Sequence, residues 1–564
     1  MSRQRNRLVI FGLDGGTFDV IGPLIEQGLV PTLARLMEQG AWGELESTIP
    51  PMTGPAWTSF MTGKSPGKHG VYGFRVREPE TYDWPVATSR SISAPTLWDI
   101  AGSKDRRSIV IDVPMTFPPW RINGLMIATF LAPSRETIIT MPPELHAEIV
   151  AHVGQYPFED QIVPSYVRGK LGPIECLEHM FGNVRRKMET AIYLLTNHDW
   201  DLAAVVFRAT DIVQHTAWRF WNEEYRRLNP EESAKYDSVI PQMYRAVDRA
   251  IEKILEKVGE DVSVVVMSDH GAGPFSHYFF CNRWLMKEGL LRLRRVGRLP
   301  RYQVRRTTKT LEDILRGRRL GRIGRLVPGS MRRMHPRLPR RRRDRLAHID
   351  WGRTVAYAPL IGGCGGSIVL NVAGREREGI VTPGEEYERL RDSIIERLAC
   401  LTNGSDGTPI VELVKRREEL YAGPYVEGAP DIIYLLKGLR YVPRNDPTVG
   451  PVLQKPAYHH CATHRLNGMI IMAGPATGQN RRLQGAKIVD IAPTILYLMG
   501  LPVPGDMDGR ILEGGIRDEY LRDHPPASEE PQDIPGTGAE RRFSYSDQEE
   551  DKVEEMLRGL GYVG

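Results

Sequence analysis

Five short apolar runs, rich in β-branched residues, recur along the chain, and polar or glycine-rich residues follow each of them. Continuous apolar runs of this kind are typical of strands buried on both faces of a largely parallel sheet. Helical patterns, such as those of residues 31–39 and 244–258, lie between the runs. This alternation predicts an α/β fold, an open sheet with helices on both faces. The predicted strands are residues 8–13, 108–113, 202–208, 262–267 and 469–472.

Three aspartates stand at the ends of three of these predicted strands: Asp14, Asp211 and Asp269. A single aspartate in such a place is more often a helix cap or a turn residue. Ligands of open α/β sheets, however, bind beyond the carboxyl ends of the strands. Three carboxylates at one sheet edge would repel each other, and a divalent cation offsets that repulsion directly.

Histidines accompany two of these aspartates. His270 is adjacent to Asp269, and His215 lies four residues after Asp211, so that the two share one helix face. One such pair alone is more often a helix cap with a surface histidine. A later loop before another strand offers His459, His460 and His464. Imidazole and carboxylate ligands together favour zinc or a similar first-row metal rather than calcium.

A candidate nucleophile stands in the segment PPMTGPAWTSF. Thr53 and Gly54 precede Pro55 and an apolar helical stretch, so we expect Thr53 at or just before a helix N-terminus. A structural capping role for this threonine is the alternative. Free amides and the helix dipole at such a position favour an anion. A hydroxyl held there beside a dication ionises near neutral pH, and the Gly54 N–H would donate to a developing phosphoryl oxygen.

The order of the motifs resembles that of the alkaline phosphatase superfamily, in its type I phosphodiesterase/nucleotide pyrophosphatase branch. The motifs are FGLDGGTFD, TxPxxxSxxTGxxPxxHG, DxxxH, SDHG, THRxxG and VDIAPTILYLMGLPVPGDMDG. The chain is most similar to a bacterial and archaeal subgroup described as predicted phosphohydrolases or phosphomutases. The resemblance covers residues 7–290 and 347–515 and implies an alkaline-phosphatase-like α/β sandwich. Each motif alone is weak, but the ordered set is highly specific.

The resemblance implies an enzyme, a hydrolase of phosphoester bonds with two divalent metal ions bridged by the phosphoryl group. The metal is usually zinc, with manganese as an alternative. Thr53 would attack phosphorus, and water would hydrolyse the phospho-threonine intermediate. His464 is preferred over the other two histidines of its loop because it directly precedes RxxG. The implied ligands are Asp14, Asp269 and His270 with the Thr53 oxygen for one ion, and Asp211, His215 and His464 for the other.

One position departs from the family pattern. Related phosphodiesterases often have an asparagine after the His-Gly turn, where it contacts a phosphoryl oxygen, and this chain has Phe74 there. The departure weakens the nucleotide pyrophosphatase interpretation and leaves that contact unassigned. Phe74 or Trp57 would suit stacking on an aromatic leaving group, but a core role is the more common one for such residues.

An Arg-rich block divides the predicted core. Residues 291–346 contain 20 Arg and one Lys against three acidic residues, in a chain of net charge +5. We predict four parts: core residues 1–290, an insertion or cap at 291–346, core residues 347–515, and a linker with a C-terminal helical tail at 516–564. Arginines of a cap would bind an anionic substrate. Docking on anionic lipid or RNA and a solvated insertion are the alternatives.

The remaining features concern partners and location. We expect a small phosphorylated substrate, and the sequence shows no specific nucleic-acid module. There is no apolar run of 18 residues, so no transmembrane segment is expected, and the N-terminal segment lacks the apolar core of a signal peptide. The five cysteines are far apart and form no CxxC, which indicates a reducing compartment and a cytoplasmic location.

Three functions remain as alternatives at this point. The first is a phosphodiesterase-like hydrolase, and the second is a phosphomutase or phosphomonoesterase acting on a small phosphorylated metabolite. A non-catalytic anion-binding scaffold is an alternative of another class. All seven expected nucleophile and ligand positions are filled, which argues against the scaffold.

Overall fold

The computed structural model describes residues 6–158, 173–259, 261–294, 346, 348–359, 363–404, 406–447, 450–456, 462–531 and 543–560. The Arg-rich insertion therefore lies outside the described residues except at its two ends, and so do His459 and His460. The strands are β1 Leu8–Leu13, β2 Ala41–Glu46, β3 Ser108–Ile111, β4 Gly124–Ile127, β5 Thr140–Met141, β6 Leu202–Phe207, β7 Ser263–Met267, β8 Gly271–Pro274, β9 His277–Phe280, β10 Ala356–Tyr357, β11 Gly366–Leu370, β12 Val411–Arg416, β13 Ile432–Leu436, β14 Tyr441–Arg444, β15 Leu453–Gln454, β16 Ala462–Arg465, β17 Asn467–Ala473, β18 Arg481–Arg482, β19 Ala486–Lys487, β20 Val503–Pro504 and β21 Ser528–Glu529.

A mostly parallel sheet forms the centre of the molecule, in the order β18-β2-β17-β7-β1-β6-β3-β4-β5, with β19 also paired to β2. Strands β7, β1, β6, β3 and β4 run parallel. Every residue of β1, β6 and β7 is buried, as expected for strands that helices cover on both faces. The predicted α/β fold, with a mostly parallel central sheet and helices on both faces, is thus confirmed.

One predicted strand runs in the opposite direction to its neighbours. Residues 469–472 lie within β17, which is antiparallel to both β7 and β2. A strand buried on both faces has the same apolar pattern in either direction, so the pattern could not reveal this orientation.

Helices cover the sheet in two groups. The helices are α1 Phe18–Glu26, α2 Pro31–Gln39, α3 Thr53–Thr62, α4 Pro66–His69, α5 Leu97–Ser103, α6 Leu145–His152, α7 Pro173–Asn197, α8 Ala209–Trp221, α9 Glu223–Leu228, α10 Pro230–Tyr236, α11 Val239–Val258, α12 Cys281–Lys287, α13 Glu385–Ala399, α14 Arg417–Leu420, α15 Ile491–Leu498, α16 Asp518–Asp523 and α17 Asp547–Gly559. Helices α2, α7, α8 and α11 contact one another or the sheet, while α3, α5 and α15 form a second group.

A smaller antiparallel sheet, β10-β11-β13-β12, packs with α13 around a second apolar core. Its loop before β11 approaches the segment that precedes α3, because the Cys364 thiol donates to the Pro51 carbonyl at 3.1 Å. The second sheet therefore lies beside the start of the helix that carries the candidate nucleophile.

The C-terminal tail returns to the main core. Helix α17 buries Val553, Met556 and Leu557, and the Tyr545 hydroxyl donates to the Leu131 carbonyl at 2.9 Å. Within the predicted linker and tail region, Ser528–Glu529 pairs with Val503–Pro504 as a short parallel strand. Of the helices in the described parts of the chain, none combines the length and the apolar character needed to cross a membrane.

Candidate active site

Three adjacent parallel strands bring the three predicted aspartates to one sheet edge. Asp14 follows β1 directly, and Asp269 comes two residues after β7. Asp211 lies in the first turn of α8, which follows β6, rather than at the strand end as the sequence suggested. All three carboxyl groups are fully buried. Because β7, β1 and β6 are neighbours, the carboxylates meet in one crevice.

A two-stranded ribbon carries His464 and begins directly after His270. Strand β16 pairs with β8 so that His464 stands opposite Ala272, next to the loop that carries His270. His215 lies one turn after Asp211 on α8, and its Nε2 is 3.2 Å from Asp211 Oδ1. The helix and the ribbon therefore direct their imidazoles toward the same sheet edge.

The six predicted ligands form two compact groups. Within each group, one potential ligand atom per residue lies within 4.8 Å of the others. These groups have the same membership as the two ligand sets implied by the family resemblance. The ligand roles themselves stay predictions. The first group is Asp14, Asp269 and His270, and the second is Asp211, His215 and His464.

Hydrogen bonds to backbone carbonyls fix the orientation of two of the imidazole rings. His464 Nδ1 lies 3.0 Å from the Pro51 carbonyl, and His270 Nδ1 lies 3.0 Å from the Gly271 carbonyl. A carbonyl only accepts, so each Nδ1 carries a hydrogen and each Nε2 presents a lone pair. His464 Nε2 faces His215 Nε2 at 3.2 Å. A cation between these two nitrogens would bind a lone pair of each neutral ring.

The buried carboxylates, like the imidazoles, would be stabilised by a bound cation. His270 Nε2 lies 3.2 Å from Asp269 Oδ2 and 3.7 Å from Asp14 Oδ1. Neither of these oxygens has a hydrogen-bond donor among the described residues. Burial, together with the charges of Asp269 and Asp211, raises the pKa of Asp14 well above its ordinary value. Burial likewise raises the pKa of Asp269 and lowers that of His464. A divalent cation reverses this preference, because it binds ionised carboxylates and neutral imidazoles. The residues present therefore fit divalent metal ions.

Thr53 faces the first group from the start of α3. It is the first helical residue and fully buried, with Met52 in extended conformation before it. Its Oγ1 lies 3.3 Å from His270 Nε2. This contact directs the hydroxyl toward the first ligand group.

Gly54 and Phe74 meet beside this hydroxyl. A Cβ placed on Gly54 would lie 3.3 Å from the Gly73 carbonyl and 3.6 Å from Phe74 Cδ1. The first amides of a helix have no intrahelical acceptor, so the Gly54 N–H is positioned for an external one. Phe74 is fully buried and packs against Phe130, with ring centroids 5.8 Å apart. The wall next to Gly54 is thus aromatic.

The structure adds two residues to the site. The Trp57 indole N–H donates to Asp14 Oδ2 at 3.3 Å, and Arg208 Nε lies 3.8 Å from the same oxygen. Both side chains are almost fully buried. From the sequence, only stacking or core packing is expected for Trp57, and no role for Arg208. The sequence did contain a signal for Arg208: it directly follows a buried strand, at a sheet edge that is already rich in acidic residues.

The comparisons with known proteins agree with this architecture. The family model for type I phosphodiesterase/nucleotide pyrophosphatase matches residues 8–433. Phosphonoacetate hydrolase from Sinorhizobium meliloti 1021, in complex with phosphonoacetate, superposes with a TM-score of 0.53 at 14% identity, covering 88% of this chain and 95% of that one. This likeness shows a shared fold. Human ectonucleotide pyrophosphatase/phosphodiesterase 5 gives a TM-score of 0.48 at 11% identity, covering 92% and 99% of the two chains. No curated protein sequence is significantly similar to the chain.

Proposed function

Because this chain belongs to the type I phosphodiesterase/nucleotide pyrophosphatase family, and is therefore a metal-dependent hydrolase of phosphoester bonds, we propose that Thr53 is its nucleophile. The observation that carries the proposal is the 3.3 Å distance from Thr53 Oγ1 to His270 Nε2, inside a crevice with two potential metal-ligand groups.

We propose two metal ions for this site, with zinc as the metal and manganese as the alternative. Carboxylate and imidazole donors in groups of three leave room for a substrate oxygen, as catalytic zinc sites do. When bound, the cations neutralise the crowded carboxylates and lower the pKa of the Thr53 hydroxyl. Asp14, Asp269 and His270 would hold one ion, and Asp211, His215 and His464 the other.

The residues of the chain orient and carry the phosphoryl group. Thr53 Oγ1 forms a bond to phosphorus, the ester P–O bond breaks, and the alcohol leaves with a proton. Water then cleaves the phospho-threonine, which releases the phosphoryl product and restores the hydroxyl. The Gly54 N–H, at the positive end of α3, donates to a phosphoryl oxygen as charge develops on it. A Cβ at Gly54 would lie 3.3 Å from the Gly73 carbonyl, a tight contact that favours a residue without one.

Thr53→Ala tests this proposal. With zinc-loaded protein and an aryl phosphoester, we expect kcat/KM to fall at least about 1000-fold, because the covalent route is lost. Thr62→Ala is the matched control, since it removes another buried hydroxyl of α3, which donates to the Thr58 carbonyl and accepts from the Lys64 N–H. After acid quenching, phosphate should be found on the peptide that contains Thr53. Unchanged turnover by Thr53→Ala would overturn the assignment.

The same experiment separates hydrolysis from the two other activities. A phosphomutase would phosphorylate Thr53 but return the group to an acceptor of similar structure, so little free phosphate would accumulate. A scaffold would neither release phosphate nor become phosphorylated. We propose hydrolysis of a small phosphorylated molecule as the main activity.

Two broader predictions stay proposals. The cysteines described are unpaired, with Cys176, Cys281 and Cys364 buried and Cys400 exposed, and we propose a cytoplasmic location for the enzyme on that basis. The division of the chain at residues 290, 346 and 515, with the Arg-rich insertion as a cap that binds an anionic substrate, is likewise our proposal.

A further inference from the structure

The carbonyl oxygen of Pro51 accepts hydrogen bonds from two buried side chains. The His464 Nδ1–H donates to it at 3.0 Å, and the Cys364 thiol donates to it at 3.1 Å. A carbonyl oxygen has two lone pairs and accepts both bonds at once. Pro51 stands two residues before Thr53. One backbone oxygen therefore connects the second ligand group, a loop of the second sheet and the segment that leads to the candidate nucleophile.

Side chains from the second-sheet region hold the segment that precedes the candidate nucleophile. Pro50 and Pro51 have no N–H, so neither residue can donate a backbone hydrogen bond to a neighbouring strand. The segment instead accepts at its carbonyl oxygens. The Tyr421 hydroxyl donates to the Ile49 carbonyl at 2.6 Å, and the Cys364 thiol donates to that of Pro51. Both donors belong to the part of the chain that builds the second sheet, which thus fixes this segment from outside the central sheet.

The loop that carries Cys364 fits the segment so closely that it leaves no room for further side chains. Gly363 and Gly365 flank Cys364. A Cβ on Gly363 would lie 2.3 Å from Met52 Sδ, and one on Gly365 would lie 2.2 Å from Pro50 Cβ. Both distances are well below van der Waals contact, so a side chain at either glycine would displace the loop or the segment. The thiol is therefore the one side chain that reaches the segment from this part of the loop.

We propose that Cys364 is a positioning residue of the candidate active site. By holding the Pro51 carbonyl, it keeps the His464 ring in the orientation of a ligand of the second metal ion. This inference rests on the proposed function. A histidine ligand is oriented by the hydrogen bond that its other ring nitrogen makes, and here the acceptor of that bond is itself held by the thiol. The same carbonyl lies two residues before Thr53, so its position also affects where the helix of the nucleophile begins.

The alternative role for Cys364 is to fill space between the second sheet and the segment. Cys364→Ala and Cys364→Ser separate the two roles, because alanine and serine are similar in volume and only serine donates a hydrogen bond. If the residue only fills space, serine should be no better than alanine, since a buried hydroxyl without a partner is costly. If the hydrogen bond positions Pro51, serine should keep what alanine loses. Cys176→Ala is the matched control, because it removes a buried thiol whose Sγ lies 3.9 Å from Met180 Sδ on the same helix.

The first measurement is the zinc affinity of wild type and these three variants, by competition with a chelator. We expect Cys364→Ala to bind one of its two zinc ions about 10-fold more weakly than wild type does. Cys364→Ser and Cys176→Ala should stay within about 3-fold of the wild-type affinity. Equal affinities in Cys364→Ala and wild type, or a serine variant no better than the alanine variant, would overturn the proposal. Cys364→Val fills the space and donates no hydrogen, so it replaces Cys364→Ala if that variant does not fold.

The second measurement needs neither metal nor turnover. Hydrogen–deuterium exchange of the metal-free proteins reports how firmly the backbone of residues 52–57 is held. We expect the amides of this stretch to exchange at least about 5-fold faster in Cys364→Ala than in wild type or Cys364→Ser. Equal exchange rates would contradict the positioning role, even in a protein that binds no zinc. An active Thr53→Ala would contradict the nucleophile, while the comparison of the Cys364 variants would still decide the role of the thiol.

Discussion

The imidazole rings of His270 and His464 lie face to face, with their centroids 3.5 Å apart and their planes inclined by 14°. One ring belongs to the first ligand group and the other to the second. The pairing of β8 with β16 fixes this stack, since it brings His464 beside the loop of His270. The two ligand groups are therefore in direct contact through these rings. A change in one ring alters the surroundings of the other.

His464→Ala should impair both groups. We expect the zinc content after dialysis to fall by about half or more, because one ligand of the second group is removed and its partner His215 loses a facing nitrogen. The affinity of the remaining ion should also fall about 10-fold, since His270 loses the ring that packs on it. His524→Ala, at an exposed histidine, is the control and should keep the wild-type zinc content. An unchanged zinc content in His464→Ala would show that this residue is not a ligand.

Gly15 allows Asp211 to approach the chain after β1. Its φ is +67°, and a Cβ there would lie 2.9 Å from Asp211 Oδ1. Gly15→Ala should lower the free energy of unfolding by about 1 kcal/mol or more through backbone strain and should also weaken zinc binding. Gly28→Ala is the matched control, because Gly28 has a φ of +68° but nothing within 4 Å of the added Cβ. It should lose stability and keep its zinc affinity. Equal zinc affinities in both variants would contradict the steric argument.

The positions of the three aspartates could be predicted because they depend on local patterns. A buried parallel strand is recognisable from its apolar run, and the carboxyl ends of neighbouring parallel strands meet at one edge. His215 follows in the same way, since a spacing of four on a helix places it beside Asp211. The positions of the three aspartates and His215 can be derived from the residue period of a helix or strand and from the order of the strands in the sheet.

The sequence could not predict contacts that depend on how elements pack together. Trp57 reaches Asp14 because its ring passes over Gly12, where a Cβ would lie 2.4 Å from the ring. Nothing in the local pattern of either segment indicates that contact. The stack of His270 on His464 depends similarly on strand pairing between segments almost 200 residues apart. The antiparallel direction of β17 depends on the path of the chain, which a doubly buried apolar run does not reveal.

The C-terminal helix α17 should contribute to global stability although it is last in the chain. Leu557 is fully buried, and Arg75, next to Phe74, pairs with Glu554 at 3.3 Å and with Glu550 at 3.7 Å. We expect Leu557→Ala to lower the free energy of unfolding by about 2–5 kcal/mol, measured by urea denaturation. Lys552→Ala, at an exposed position of the same helix, should change it by less than about 0.5 kcal/mol. If Leu557→Ala is as stable as wild type, the helix does not dock in solution as described.

His69 is a buried neutral histidine that contacts α3 through Ser59. Its Nδ1 accepts from the Val71 N–H at 3.2 Å, so Nε2 carries the hydrogen and donates to the Ser59 hydroxyl at 2.9 Å. Protonation of Nδ1 would break the bond from Val71. Burial lowers the pKa of His69 from 6.5 to about 3, although Asp508 opposes the shift. Between these values the unfolded chain binds a proton that the folded chain does not bind.

Stability should therefore fall as the pH falls from about 6.5 toward 3, at about 1.4 kcal/mol per pH unit for this group. We expect wild type to lose about 2 kcal/mol more than His69→Gln on acidification from pH 7 to pH 5, because glutamine does not titrate. Urea denaturation of the metal-free proteins measures the difference, since proton release on metal binding then makes no contribution. Other carboxyl groups titrate equally in both proteins and cancel in the comparison. Parallel pH profiles for wild type and His69→Gln would mean that His69 is charged in the folded state, and that the Val71 N–H does not donate to its ring.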